Sequence, residues 1–387
     1  MSKFFGKWKK ALLIFLLFIL LVNIGIILLD KRFVYRALWY NFVGIDDYRI
    51  FHNREISASP DPQPWPLASE YNQYELSPNL RQGLERLRTV AFLVVKEDSI
   101  RYEEYWDDYG PSSLSNSFSM AKTFVGMLVG IALHEGKIKS LDQPIGDFLE
   151  NYKGGEKDKI TIRHLLTMSS GLEWDEAYAS PFSTTTEAYY GTDLQRTVGQ
   201  LEVEEEPGVY FNYKSSDTQL LAFVLQNAVG MPISQYLEEK IWHPIGAEHA
   251  AKWSLDGEGG VEKAYCCINS NARDFARIGK LYLNYGRWNN ERLVDSAYVA
   301  QSISPADLYD PHNHGEPINF YGYKWWLIPD YKKLGNVFYA RGILGQYIIN
   351  VPSKDLIIVR LGHKRGMPAG KHFEEVFLML DEVANMF

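Results

Sequence analysis

The stretch Ser119–Gly136, SMAKTFVGMLVGIALHEG, decides how the rest of the chain is read. From Met120 to His134 it is apolar on almost every side and it stops at Gly136, which predicts a helix buried at the centre of a fold. Its two chemically active residues, Ser119 and Lys122, stand at the head of that helix with the (i, i+3) spacing that puts both on one face. A serine attacks a carbonyl only with a base beside it, and a lysine can be that base where burial disfavours its ammonium form. The helix N-terminus adds free N–H groups and a positive dipole end, both suited to an oxyanion. Taken alone, S-x-x-K is a weak signal, because a chain of this length holds about one by chance.

Outward from this helix, sheet signals lie towards both ends. Val90–Val95 and Ile100–Trp106 are β-rich runs around Lys96–Ser99, and Tyr347–Val351 and Leu356–Leu361 flank Pro352–Asp355, so two hairpins are expected. Phe373, Phe377, Leu380, Ala384 and Phe387 form a helical stripe that can pack on the sheet. The middle is helical, with segments at Ile162–Met168 and Thr218–Ala228, the second introduced by the capping-box pattern Ser216–Gln219 and ended by Gly230. Just ahead of that second helix, the segment Pro207–Ser216 puts Tyr213 in a loop where its phenol can face a cleft as a proton shuttle. Ala340–Gln346, ARGILGQ, leads into the late hairpin, and its glycines let a substrate approach the strand backbone.

The 387 residues are 46% hydrophobic, 23% charged and 14% aromatic, an ordinary globular composition for one large or two interleaved domains. Lys and Arg (40) against Asp and Glu (48) leave a net charge of −8, which lacks the basic field of a nucleic-acid binder. Two adjacent cysteines, Cys266 and Cys267, close no long loop and have no zinc-site spacing; a small buried pair is expected, since a vicinal disulfide is strained. The apolar run Ala11–Leu29 follows Lys3, Lys7, Lys9 and Lys10 and is about the ~20 residues a helix needs to cross a bilayer. Asp30, Lys31, Arg32 and Phe33 follow it directly instead of an A-x-A-like cleavage pattern, so an uncleaved anchor is expected, and the lysines ahead of it favour a cytoplasmic N-terminus. The alternating prolines of Ser57–Pro66 suggest an extended spacer.

From about Arg88 onward the sequence resembles the serine β-lactamase and penicillin-binding-protein superfamily, in particular its class C β-lactamase-like branch with 6-aminohexanoate-dimer hydrolases, D,D-peptidases and esterases. The likeness rests on the order of Ser119-x-x-Lys122, Ile160–Leu172, Pro207-Gly208 ahead of Tyr213-x-Ser215, and Ser270–Arg277. It implies an α+β, β-lactamase/transpeptidase-like fold, an antiparallel sheet flanked by helices with a helical domain inserted in the middle. The expected organisation is a cytoplasmic N-terminus at 1–10, an anchor at 11–29, a juxtamembrane region and spacer at 30–80, and a hydrolase domain at 81–387. Its α/β part falls at about 81–115 and 250–387, its helical part at about 116–249.

The resemblance further implies an acyl-serine hydrolase with Ser119 as nucleophile, Lys122 as base and Tyr213 as the tyrosine of the Y-x-N motif. Ser215 stands where that motif has Asn, and Ala340-Arg341-Gly342 where the family has a Lys- or His-led triplet. The N–H groups of Ser119 and Ile343 would form the oxyanion hole, with Ser215, Arg341, Gly342 and Ile343 on the substrate side. Strand alternation starts Arg341 away from the cleft, although it can bend around the rim. Missing the triplet cation, the protein is expected to be a poor β-lactamase that prefers a small-molecule or peptide-like amide or ester. No cofactor, metal or nucleic acid is expected, and the membrane is met through the N-terminal helix, with the catalytic domain outside the cytoplasm. The same fold without turnover would be a peptidoglycan- or peptide-binding sensor, a role that does not require Ser119, Lys122 and Tyr213 together. His164 is expected to be scaffolding, His312 and His314 a solvated loop, Trp325 and Trp326 core or cleft wall, and Arg273 and Asp274 ion-pair partners at a helix start.

Overall fold

The computed structural model describes residues 2–313 and 315–387, so His314 lies outside the described residues. Both expected hairpins form and meet in one antiparallel sheet. Its strands are β1 (Thr89–Lys96), β2 (Ser99–Tyr105), β3 (Trp326–Ile328), β4 (Val337–Gly342), β5 (Gln346–Val351) and β6 (Leu356–Gly362), in the order β2-β1-β6-β5-β4-β3. β1 pairs with β6 in the register Leu93↔Val359 and Val95↔Ile357, joining the early hairpin to the late one. The central strands are buried on both faces, which is why they read as continuous apolar runs instead of alternating ones. Ala91, Leu93 and Val95 belong to one core with Phe275 and Ile278; Phe92 and Val94 belong to another with Leu80, Leu84 and Val376.

Six helices matter for the site: α1 (Ser2–Leu28), α2 (Phe33–Tyr40), α3 (Ala121–His134), α4 (Ser215–Val229), α5 (Ala272–Leu283) and α6 (Glu374–Met386). α3 is the expected central helix, buried from Ala121 to Ala132 and packed on α4. A four-stranded sheet ordered Asn53–Ile56, Ala251–Ser254, Ile268–Ser270 and Ser115–Asn116 delivers the chain to the head of α3. α5 starts at the Asn271 cap, and Arg273 and Asp274 beside it pair with Glu103 and Arg277, the structural role expected of them. His164 closes a capping box with Thr161 and is likewise scaffolding.

Four local expectations are corrected. α4 begins at Ser215 and not after Ser216, so Ser216 lies inside the helix, and the Ser216–Gln219 capping box does not form, because the Gln219 side chain is engaged by the Glu262 carbonyl and the Ala264 N–H. On α6 Leu380 and Ala384 of the expected stripe are buried and Phe377 and Phe387 are half-buried against the core, while Val376, Met379 and Val383 widen the buried face and Phe373 lies in the strand before the helix. Cys266 and Cys267 are buried as expected but are joined by a disulfide, in a turn where the Cys266 N–H donates to the Lys263 carbonyl and Cys267 has φ 75°. The proline segment is no free spacer: the Ser59 and Gln63 N–H groups donate to the Ala247 and Gly246 carbonyls, and Trp65 is buried with its indole donating to the Arg273 carbonyl.

α3 can be covered so closely because Gly126 and Gly130 leave one of its faces bare. A Cβ on Gly130 would stand 2.4 Å from the Tyr298 ring, and the Tyr298 hydroxyl donates to the Gly126 carbonyl. Gly130→Ala is therefore expected to destabilise the protein by about 1–3 kcal/mol, the usual cost of overpacking a core. Chemical denaturation of the detergent-solubilised protein measures it, and an unchanged midpoint would show that Tyr298 yields freely.

Candidate active site

Ser119 sits in a 3₁₀ turn, Phe118–Met120, that leads straight into α3. The turn is strained, since Phe118 has φ 44°, and it is held by the Asn116 side-chain oxygen, which accepts from the Phe118 N–H at 2.9 Å. β4 presses on the same turn: a Cβ on Gly342 would lie 2.2 Å from the Ser117 carbonyl oxygen, so only glycine permits this approach. Gly342 thus sets the distance between the strand and the Ser119 turn, and Ile343, next along the chain, lines the same cavity as Ser119.

Lys122 is buried, and its Nζ lies 2.9 Å from Ser119 Oγ, 3.2 Å from Ser215 Oγ and 2.9 Å from the Tyr265 carbonyl oxygen. An ammonium satisfies all three as donor. A neutral amine could donate to Ser215 and Tyr265 and turn its lone pair to the Ser119 hydroxyl, an arrangement in which the two outer acceptors orient the amine. Ser215 is held in turn by Glu176, whose Oε1 accepts from Ser215 Oγ at 2.7 Å and whose Oε2 accepts from the Ser215 N–H at 2.8 Å. Trp174 and Tyr178 also donate to this carboxylate. Glu176, Tyr178 and Asn116 were missed in the sequence because each is a lone polar residue outside any spaced motif.

Tyr213 stands in the loop ahead of α4, half-buried, with its ring 5.6 Å from that of Trp326 and the Lys122 Nζ 5.0 Å from its centroid. Among the described residues, no hydrogen bond links its hydroxyl to Ser119 or Lys122. Arg341 lies on Trp326, 3.4 Å from guanidinium carbon to ring centroid, and donates to the Lys371 carbonyl at 3.0 Å, while Ala340 on the opposite face is fully buried. Ser119, Ser215 and Ile343 line a cavity of about 530 Å³, within the usual range of small-molecule sites; Arg341 and Gly342 do not line it.

The beta-lactamase family profile matches residues 76–378. The chain belongs to the beta-lactamase family. It is 26% identical over 298 residues to a 6-aminohexanoate-dimer hydrolase of Paenarthrobacter ureafaciens, covering 73% of this chain and 75% of that one. A Bacillus anthracis structure provisionally named a 6-aminohexanoate-dimer hydrolase superposes with a TM-score of 0.74 at 22% identity, covering 88% of this chain and 91% of that one. The beta-lactamase/D-alanine carboxypeptidase of Pseudomonas syringae gives a TM-score of 0.60 at 15% identity, over 80% of this chain and 97% of that one. The likeness to the two structures is one of fold.

In this member of the beta-lactamase family, the acceptor at Tyr265 depends on a second buried lysine. Lys263 is fully buried, donates to the Ala188 carbonyl at 3.0 Å, and anchors the turn that runs through Tyr265 to the disulfide. Gln219 of α4 clamps the same turn, accepting from the Ala264 N–H and donating to the Glu262 carbonyl. Burial pulls the Lys263 amine down to about 7. From about pH 7 to its ordinary value near ~10.4, the unfolded chain carries a proton that the folded chain lacks. Stability from this group therefore rises with pH across that window and is lost as pH falls through 7. The effect of Lys263→Met on the melting temperature is expected to be more favourable at pH 6 than at pH 10; equal shifts at both pH values would contradict the depressed amine.

Proposed function

We propose that this protein is a membrane-anchored serine hydrolase that cleaves a small-molecule or peptide-like amide or ester through an acyl-serine intermediate. The observation that carries the reading is the buried Lys122 amine, 2.9 Å from Ser119 Oγ and held on its other sides by Ser215 and Tyr265. Ser119 Oγ attacks the carbonyl carbon as its proton passes to Lys122. The oxyanion is received by the N–H groups of Ser119 and Ile343, strengthened by the dipole of α3. Collapse expels the amine or alcohol, which takes a proton from Lys122, with Tyr213 completing the relay as a substrate draws its hydroxyl inward. Water then attacks the acyl-serine with the same groups as base, releasing the acid and restoring Ser119. The 6-aminohexanoate-dimer hydrolase and carboxypeptidase names of the relatives accord with amide cleavage in this fold.

For the anchor, Lys7–Leu28 is long and apolar enough to cross a membrane, and its apolar window is exposed, with Ile26 near its end partly buried against the domain. With the lysines on its N-terminal side, the hydrolase domain faces away from the cytoplasm. The domain division is read as an α/β part of about 81–115 and 250–387 around a helical part of about 116–249, with Ser119 where the two meet.

Labelling with a fluorophosphonate, read by intact mass, is expected to add one adduct that Ser119→Ala abolishes; an adduct on that variant would displace Ser119 as nucleophile. Lys122→Ala and Tyr213→Phe are each expected to slow acylation by ~10²–10⁴, the range of general acid–base catalysis. Near-normal rates for both would sink the relay.

The missing triplet cation sets substrate preference. Ala340 gives a β-lactam carboxylate nothing to bind, and Arg341 is occupied by Trp326 and Lys371. Loss of a charged hydrogen bond costs about 1.5–3 kcal/mol, roughly one to two decades in kcat/KM. Neutral p-nitrophenyl esters are expected to outcompete a chromogenic cephalosporin. A cephalosporin advantage abolished by Arg341→Ala would show that Arg341 serves the substrate.

A further inference from the structure

The cavity above Ser119 is closed on one side by chain that lies outside the matched family region. Ala37, Leu38, Asn41, Phe42 and Val43 line it, whereas the family match starts at residue 76. These residues come from α2 and the turn after it, only four residues beyond the end of α1 at Leu28.

α2 is apolar on two faces. Phe33, Val34 and Ala37 are buried against the domain. Tyr35, Leu38 and Trp39, spaced i, i+3 and i+4, form the opposite face, and Phe42 follows in the turn after the helix; Leu38 is 65%, Trp39 83% and Phe42 84% exposed. A helix that is apolar all round is buried on all sides, so the outward face lacks its cover. α1 supplies the reason: a helix that follows a membrane span within a few residues and carries exposed Trp39 and Tyr35 after Arg32 has the composition of an interfacial helix lying at headgroup depth. Its position on the domain is tied down. Arg36 donates to the Ile50 and Tyr190 carbonyls at 3.1 and 3.3 Å, Tyr40 stacks on Tyr190, and Lys31 pairs with Glu187. The bilayer therefore covers the face whose residues Leu38 and Phe42 also wall the cavity. Across it stands the loop carrying Pro181, beside Phe182, itself 63% exposed.

From this continuity we infer that the substrate is an amphiphile resident in the membrane, an ester or amide of a medium or long acyl chain. The chain lies along Leu38 and Phe42 with its far end in the bilayer, while the scissile carbonyl reaches Ser119. The inference rests on the hydrolase reading above and names its substrate class.

The test uses the full-length protein in phosphatidylcholine liposomes, with p-nitrophenyl acetate and p-nitrophenyl decanoate as probes. The decanoate is expected to exceed the acetate in kcat/KM by at least about tenfold, the discrimination that one or two buried methylenes already provide. Phe42→Asp is expected to lower the decanoate rate more than the acetate rate, so that the ratio falls several-fold; Leu38→Ser, a milder change, gives the same readout if Phe42→Asp fails to fold. Independently of turnover, a nitroxide on Trp39→Cys should be relaxed more by lipid-soluble oxygen than by an aqueous nickel chelate. Equal turnover of both esters, an unchanged ratio in both variants, or an aqueous nitroxide would overturn the membrane substrate while leaving the hydrolase intact. Failure of the wild type to turn over either ester or to take a fluorophosphonate would overturn the hydrolase reading and this inference with it.

Discussion

Burying the Lys122 amine at the head of an apolar helix obliges the fold to bring acceptors to it, because a buried polar group without partners costs several kcal/mol. The acceptors come from different parts of the chain: Ser119 one turn away, Ser215 at the start of α4, and the Tyr265 carbonyl in the connection between the strands Ala251–Ser254 and Ile268–Ser270. Each has its own support. Glu176 holds Ser215 by both backbone and hydroxyl, and Gln219 with Lys263 holds the turn around Tyr265. Segments far apart in the chain are thus locked together by the hydrogen bonds that orient the Lys122 amine.

The same neighbourhood concentrates buried charge. Lys324 is fully enclosed, donating to the Leu165 carbonyl, and its amine is pulled down by burial, while burial pushes the Asp217 carboxyl up. Ser170 donates its hydroxyl to Asp217 at 2.6 Å, and Lys324 packs its stem where Gly126 bares α3. Asp217 at the start of α4 and Lys324 beside α3 therefore carry perturbed titrations next to the candidate site. Seating of the aliphatic part of Lys324 depends on the bare Gly126, so packing and electrostatics at this site are set by the same residues.

Much of the site was legible in the chain. Ser119-x-x-Lys122 at the head of an apolar run, and Tyr213 ahead of α4, could be placed because helix periodicity and loop chemistry are local properties. The two hairpins were legible for the same reason. The pairing of β1 with β6, more than 250 residues apart in sequence, was not, because the partner of a strand is chosen by long-range burial. The Cys266–Cys267 bond likewise required a turn that no composition reveals.

By itself the sequence determined which elements exist, that the first is apolar enough to span a bilayer, and which residues could act as nucleophile and base. Those features depend on side chains within a few positions of each other. Tertiary structure alone decided that Glu176 orients Ser215, that Gly342 admits β4 to the nucleophile turn, and that α2 walls the cavity instead of acting as a slack linker. These arrangements join segments tens to hundreds of residues apart. They exist because buried donors need acceptors and bare faces need cover, and both demands are met in space without regard to sequence distance.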